Sequence, residues 1–312
     1  MSKDRYRELC ATETDIPVFS QDWWLDAVYG GDRWDVLLVE KNGRVAAAWP
    51  LYMPLHGVVT MPPYTQSMGI WIAPLSDDTK YSSALEQRQS LCKQLIERLH
   101  ARVFMQNFAY SFTDWLPFYW ADYRQTTRYT YILPDLSDLG ALWEGMSQNT
   151  RRNIKRAQDE AHISVRQDVG IDDFLRVQEQ TFERQNIRNK QSVHVLRRLI
   201  EAAVSRGQGA LFGGYDPEGR LHAAAFVVWQ PSSAYYIAGG GDPALRRSGA
   251  HSLVLWEAVR HASAYSKVFD FEGSMLPGVE RFFREFGARQ TPYFTISKGQ
   301  MSIIDRIRMK LC

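Results

Sequence analysis

Cysteine is scarce in this chain of 312 residues, which has only Cys10, Cys92 and Cys312. They lie far apart and fit no zinc or Cys-x-x-Cys spacing, which excludes a disulfide scaffold and points to a reducing compartment. Long apolar runs are missing too. No stretch reaches the roughly 18 residues of a membrane helix, and the opening MSKDRYRELC has no apolar signal core. The expectation is a cytoplasmic protein with no transmembrane segment. Charge of one sign is not in excess: a net +2 does not mark a DNA-binding protein. The seven histidines show no His-x-x-x-His or His-Glu-x-x-His spacing, so no metal is expected. Neither a Gly-x-Ser-x-Gly elbow nor a Walker loop occurs.

An internal echo organises what is present. DVLLVEKNGRVAAAW (35–49) and ALFGGYDPEGRLHAAAF (210–226) each read as an apolar strand, a Gly-containing turn, an Arg and a second strand carrying Ala-Ala-Ala. The shared punctuation suggests a duplicated unit. Around the first hairpin, Ser20 can cap a helix carrying Trp23 and Trp24. A long helix follows at about 82–102, then strands at 103–109 and 127–133. The second half reads as a strand at 162–167, helices at 171–184 and 191–206, the hairpin, and a strand at 234–240. A helix at 251–264, the strand KVFDFE, a short helix from Pro277 and a last strand at 291–297 complete it. The predicted division is 1–135 and 136–312, with a linker over 133–150.

Three stretches could carry chemistry. In DPALRRSGAHS (242–252), Arg246, Arg247, Ser248, Gly249, Ala250 and His251 open a helix, where unpaired backbone N–H groups and the helix dipole favour an anion. In NTRRNIKRAQ (149–158), Thr150 can cap a helix on which Arg151, Arg152 and Lys155 lie near one another. That patch suits a phosphate-rich ligand or is a solvated face. In FDFEGS (269–274), alternation aims Asp270 and Glu272 at one face of a strand, beside Ser274. They form either a proton-handling site or partners for Arg281 and Arg284. Tyr64, Gln66 and Trp71, in MPPYTQSMGIWIAP (61–74), offer stacking and hydrogen bonds to a polar ligand. The basic, faintly amphipathic tail SIIDRIRMKLC suggests either peripheral contact with anionic lipid or docking on the domain.

The element order, with its glycine-containing loop between a strand and a helix, resembles the GNAT acyltransferase fold. NTRRNIKRAQ, RRSGAHSLVLWEAVRHA, FDFEGS, PGVERFFREFGA, VFSQDWWLDAVYG and MPPYTQSMGIWIAP together resemble its FemABX-like branch, which includes BioF2-like acetyltransferases. The resemblance spans about residues 15–298. It implies an α/β (α+β) protein of two tandem GNAT-like domains, each a mixed, mostly antiparallel sheet flanked by helices. The first domain would lie on the acceptor side and the second would carry the donor loop.

It further implies an N-acyltransferase taking acyl-CoA, such as acetyl-CoA, to a primary amine of a small molecule or cell-envelope precursor. The CoA pyrophosphate would lie on an Arg/Gln-x-x-Gly-x-Gly/Ala loop, whose positions are held here by Arg246, Gly249 and His251. His251 departs from the pattern. Glu272, with Asp270, would take the amine's proton. Tyr236, or its neighbour Tyr235, would protonate the leaving thiolate, and Arg151, Arg152, Lys155, Tyr64, Gln66, Trp71, Ser274 and Arg281 would meet substrate. Two alternatives stay open. One is a Fem-type transferase using charged tRNA on a peptidoglycan precursor, although Phe283 stands where such enzymes usually have lysine. The other is a non-catalytic module whose donor loop is blocked by His251.

Overall fold

The computed structural model describes residues 2–30, 33–184, 193–273 and 275–311. Two compact units emerge: Met1–Arg128 with Pro292–Cys312, and Tyr129–Thr291. The first unit opens with helices α1 (Ser2–Thr12) and α2 (Asp22–Tyr29) and strands β1 (Trp34–Lys41), β2 (Arg44–Leu55), β3 (Val58–Thr60) and β4 (Trp71–Ile72). Helix α3 (Tyr81–Arg98), strand β5 (Val103–Asn107) and the short helix α4 (Leu116–Trp120) follow.

The chain enters the second unit within strand β6 (Arg124–Leu133). There it forms α5 (Leu139–Gly145), α6 (Gln148–Lys155), β7 (Ser164–Arg166), α7 (Ile171–Arg184), α8 (Val193–Ser205), β8 (Gly209–Tyr215), β9 (Leu221–Trp229) and β10 (Ser233–Gly241). Next come α9 (Ala250–Ala262), β11 (Val268–Asp270) and α10 (Pro277–Arg284). Strand β12 (Arg289–Lys298) returns the chain to the first unit, which ends with α11 (Ile303–Leu311).

The echo in the sequence is an echo in space. In the first unit β1, β2 and β3 form an antiparallel meander; α3 follows, and β5 pairs parallel to β3. In the second, β8, β9 and β10 form the meander, α9 follows, and β11 pairs parallel to β10. Asn42 and Gly43, at φ 52° and 76°, make the two-residue turn that matches strand twist between β1 and β2. Strand β9 is buried along its whole length. Its Ala223-Ala224-Ala225 run leaves room for helices, and on β8 a Cβ at Gly214 would meet Val254 of α9 at 2.9 Å. Each unit has its own core: one around Trp49, Phe104 and Phe118, the other around Phe226's neighbours Ala225 and Val227 with Phe269 and Phe271.

Several local expectations change. Ser20 does not cap α2; it lies in a 3-10 turn, and its carbonyl accepts from the Tyr6 hydroxyl at 2.6 Å. Ser147, not Thr150, caps α6, accepting the Thr150 N–H at 3.1 Å. The predicted linker does hold the helix read there from sequence, α5, capped by Asp138. The division also differs from the one drawn on sequence, because residues 292–312 belong with the first unit. Strand β12 pairs there with β5, while β6, after the first repeat's α4, pairs with β11 of the second unit. Among the described residues no helix is long and apolar enough to cross a membrane, and no cluster of three or more His, Cys, Asp or Glu is arranged to hold a metal.

Candidate active site

Strands β10 and β11 are neighbours for three residues only, Ser233–Tyr235 against Val268–Asp270. Beyond that point β10 continues to Gly241. The other chain turns off through Glu272 and Gly273, at φ 56° and 52°. Glycine suits that turn, because a Cβ on Gly273 would sit 2.4 Å from the Tyr129 carbonyl oxygen. Glutamate does not, and a positive φ at a non-glycine residue is a cost that clusters at functional sites. The parallel pair therefore splays, as a doubly used strand edge must when one partner leaves.

Three polar side chains meet at the splay. A register shift between Tyr236 and Ala238 re-aims β10. The Tyr236 hydroxyl lies 3.3 Å from Nε2 of His251, in the first turn of α9. Phe283 of α10 packs edge-on against Tyr236, and Phe282 lies against His251. Burial pushes the Tyr236 hydroxyl above its ordinary range, and the Glu272 carboxylate adds to the shift. Glu272 is itself enclosed. Its Oε1 is buried without a hydrogen-bond partner, and burial, with Asp270 nearby, holds its carboxyl well above the usual range.

Asp270 and Glu272 do not share a strand face as alternation predicts, because β11 ends at Asp270. Asp270 is fully buried; its Oδ1 accepts from the Thr130 hydroxyl and, at 2.7 Å, from the Glu272 N–H. It thereby fixes the turn that presents Glu272. Neither Arg281 nor Arg284 reaches them: Arg281 bonds Glu285 at 3.0 Å and Arg284 bonds Glu280 at 2.8 Å. Ser274 lies outside the described residues.

The loop before α9 is folded back on itself. Arg246–Ser248 form a 3-10 turn, with both arginines exposed. The amides of Ser248, Gly249 and Ala250 donate to the Leu245 carbonyl, the Arg246 carbonyl and Ser248 Oγ. Gly249, at φ 80°, is closed over by α6, since a Cβ there would stand 2.2 Å from the Asn153 carbonyl oxygen. The His251 ring lies near Tyr236 and Phe282. Behind the loop, Ser248 Oγ is 3.0 Å from His222 Nδ1, and His222 Nε2 is 2.9 Å from Asp216. Burial works against ionisation of Asp216, but bonds from His222 and from the Arg220 amide and guanidinium hold its carboxyl below the usual range. The sequence signal for this support was Asp216 and His222 flanking one hairpin turn.

The remaining candidates divide between the units. On α6, Arg151 bonds Glu144 at 2.6 Å, while Arg152 and Lys155 are exposed. In the first unit, the Gln66 carbonyl accepts from Asn107, and the Trp71 indole donates to Asp15 at 3.2 Å. Tyr64 is buried at φ 53°. Trp71 lines a cavity of about 600 Å³ with Tyr81, Phe108, Phe112 and Asp114.

Residues 145–284 match the family described as acetyltransferase (GNAT) domain. No curated protein matches the chain. Among solved structures, FemX is similar over 94% of this chain and 96% of its own, at 12% identity and a TM-score of 0.70. The C-terminal domain of a putative lysylphosphatidylglycerol synthetase from Agrobacterium fabrum matches over 97% and 95%, at 15% identity and a TM-score of 0.57. A tandem GNAT protein from the clavulanic acid biosynthesis pathway matches over 95% and 94%, at 13% identity and a TM-score of 0.51. The splay between β10 and β11 lies within the stretch that matches the acetyltransferase (GNAT) domain. In fold, the duplicated chain is similar to FemX and to the tandem GNAT protein.

Proposed function

We propose that the chain is an N-acyltransferase that moves an acyl group from a CoA thioester to a primary amine. The observation that carries this reading is the opening between β10 and β11, with Tyr236, His251 and Glu272 at its base beside the start of α9. Arg246 and Arg247, both exposed, are the groups that would hold the donor's phosphates by charge-assisted bonds.

An amine arrives as an ammonium. Its charge beside Glu272 favours the carboxylate, which then takes the first proton. The freed nitrogen attacks the thioester carbonyl, forming the C–N bond. Ile237, the extra residue of the β10 bulge, would offer its amide to the oxyanion. Collapse breaks the C–S bond. Tyr236, kept protonated by its surroundings, gives its proton to the thiolate and is restored by the second proton from nitrogen. The proton on Glu272 leaves to water, so the sum is amide, free thiol and one proton.

A second reading is favoured by one observation: the amides of Ser248, Gly249 and Ala250 are bonded within the loop, which leaves less backbone for a pyrophosphate. With Arg152 and Lys155 exposed, a larger phosphate-rich donor such as charged tRNA, on an envelope precursor, fits a basic surface better. Calorimetry with acetyl-CoA decides. Binding that is lost in Arg246→Ala supports the thioester reading. No binding to the folded wild-type chain removes that donor and leaves the aminoacyl ester.

A further inference from the structure

Helix α11 faces outward with the side that amphipathic helices bury. Asp305, buried, accepts from Arg102 at 2.7 and 2.5 Å and from the Ser302 amide and hydroxyl at 3.0 and 2.8 Å. That fixes the start of the helix on the first unit. At 100° per residue, Ile303, Ile304 and Ile307 then project away from Asp305. They are 76%, 62% and 55% exposed. Arg306 and Arg308, also exposed, flank this stripe on either side.

A second exposed apolar group lies at the same end of the unit. Tyr119 and Trp120 of α4 stand 60% and 51% exposed. The carbonyl of the next residue, Ala121, accepts from Lys298 at 2.7 Å, where β12 ends shortly before α11. Branched aliphatics between arginines, with exposed Trp and Tyr on the same unit, are what a lipid headgroup boundary accommodates. The cationic flanks specify an anionic surface.

We propose that α11 lies flat on an anionic lipid bilayer, its isoleucines among the acyl chains and its arginines at the headgroups. This surface belongs to the first unit, whereas Tyr236, His251 and Glu272 belong to the second. The test is flotation of the full chain with phosphatidylcholine vesicles, with and without about one-third phosphatidylglycerol. Wild type floats with the anionic vesicles, and salt weakens the binding. Ile303→Asp/Ile307→Asp weakens it by about tenfold or more. Arg306→Glu/Arg308→Glu weakens it by about tenfold and decides the matter should the first variant fail to fold. The proposal is overturned if wild type stays with the soluble fraction, or if neutral vesicles bind it equally. It is also overturned if sedimentation shows a dimer that the aspartates dissolve, which would assign the stripe to a second copy of the chain.

Discussion

Glu272 combines burial, an unpartnered Oε1 and a left-handed backbone in one carboxylate. A carboxyl raised in this way keeps its proton when folded at a pH where the unfolded chain, near 4.3, has lost it. The folded state therefore binds more protons, and stability present below that value is lost as pH rises toward the folded one. Glutamine, neutral and similar in shape, carries no such penalty. Glu272→Gln is thus expected to melt with wild type near pH 4 and above it at higher pH, the difference growing by about 1.4 kcal/mol for each pH unit while only the unfolded chain is ionised. A melting difference that is flat with pH would show the carboxyl to be ordinary. The sequence put Glu272 at a strand end beside Gly273, and that much is seen. Its pairing with Asp270 on one face was not to be had from alternation, because the turn at φ 56° breaks the period. His251 was legible only as a departure from a motif; that its ring contacts Tyr236 depends on the splay.

Among the elements, the start of α9 shows how one glycine can be read two ways. On sequence, Gly249 offers a ligand close approach to backbone. In the fold, the Asn153 carbonyl of α6 occupies that approach. A Cβ there is opposed by backbone and by a φ of 80°, neither of which a side-chain rotation relieves. Gly249→Ala is therefore expected to lower stability by more than about 1 kcal/mol in denaturant unfolding, with no ligand present. An unchanged midpoint would mean that α6 does not close on the loop. Elements with strong local signals were legible: the two hairpins, α7, α9 and the proline-led α10. Caps were less so, because Ser20 and Thr150 are sound caps by type, and the competing turns around them are settled by contacts distant in sequence. The Ser147 cap of α6, for instance, also has its amide held by the Glu285 carbonyl.

For the whole chain, the duplication was legible and the domain boundary was not, for one topological reason. Each repeat runs meander, helix, parallel strand, short helix and final strand. The final strand of each runs on into the other unit: the end of β6 pairs with β11, and the end of β12 with β5. Hydrophobic period cannot reveal which sheet a strand joins, so a cut near residue 135 followed repeats rather than compact units. The consequence is asymmetric. Residues 129–291 form one continuous stretch that contains every strand from the end of β6 to β11 and their core. Residues 1–128 lack β12, the partner of β5, and α11, whose Asp305 holds Arg102. Expressed separately, 129–291 is expected to unfold in a single cooperative transition. The 1–128 segment, with its β5 edge unpaired and Arg102 without its carboxylate, is expected to show none until 292–312 is rejoined through a short linker. Circular dichroism on heating separates the cases: a cooperative melt of 1–128 alone would mean that the exchanged strand is ornament rather than part of the first unit's fold.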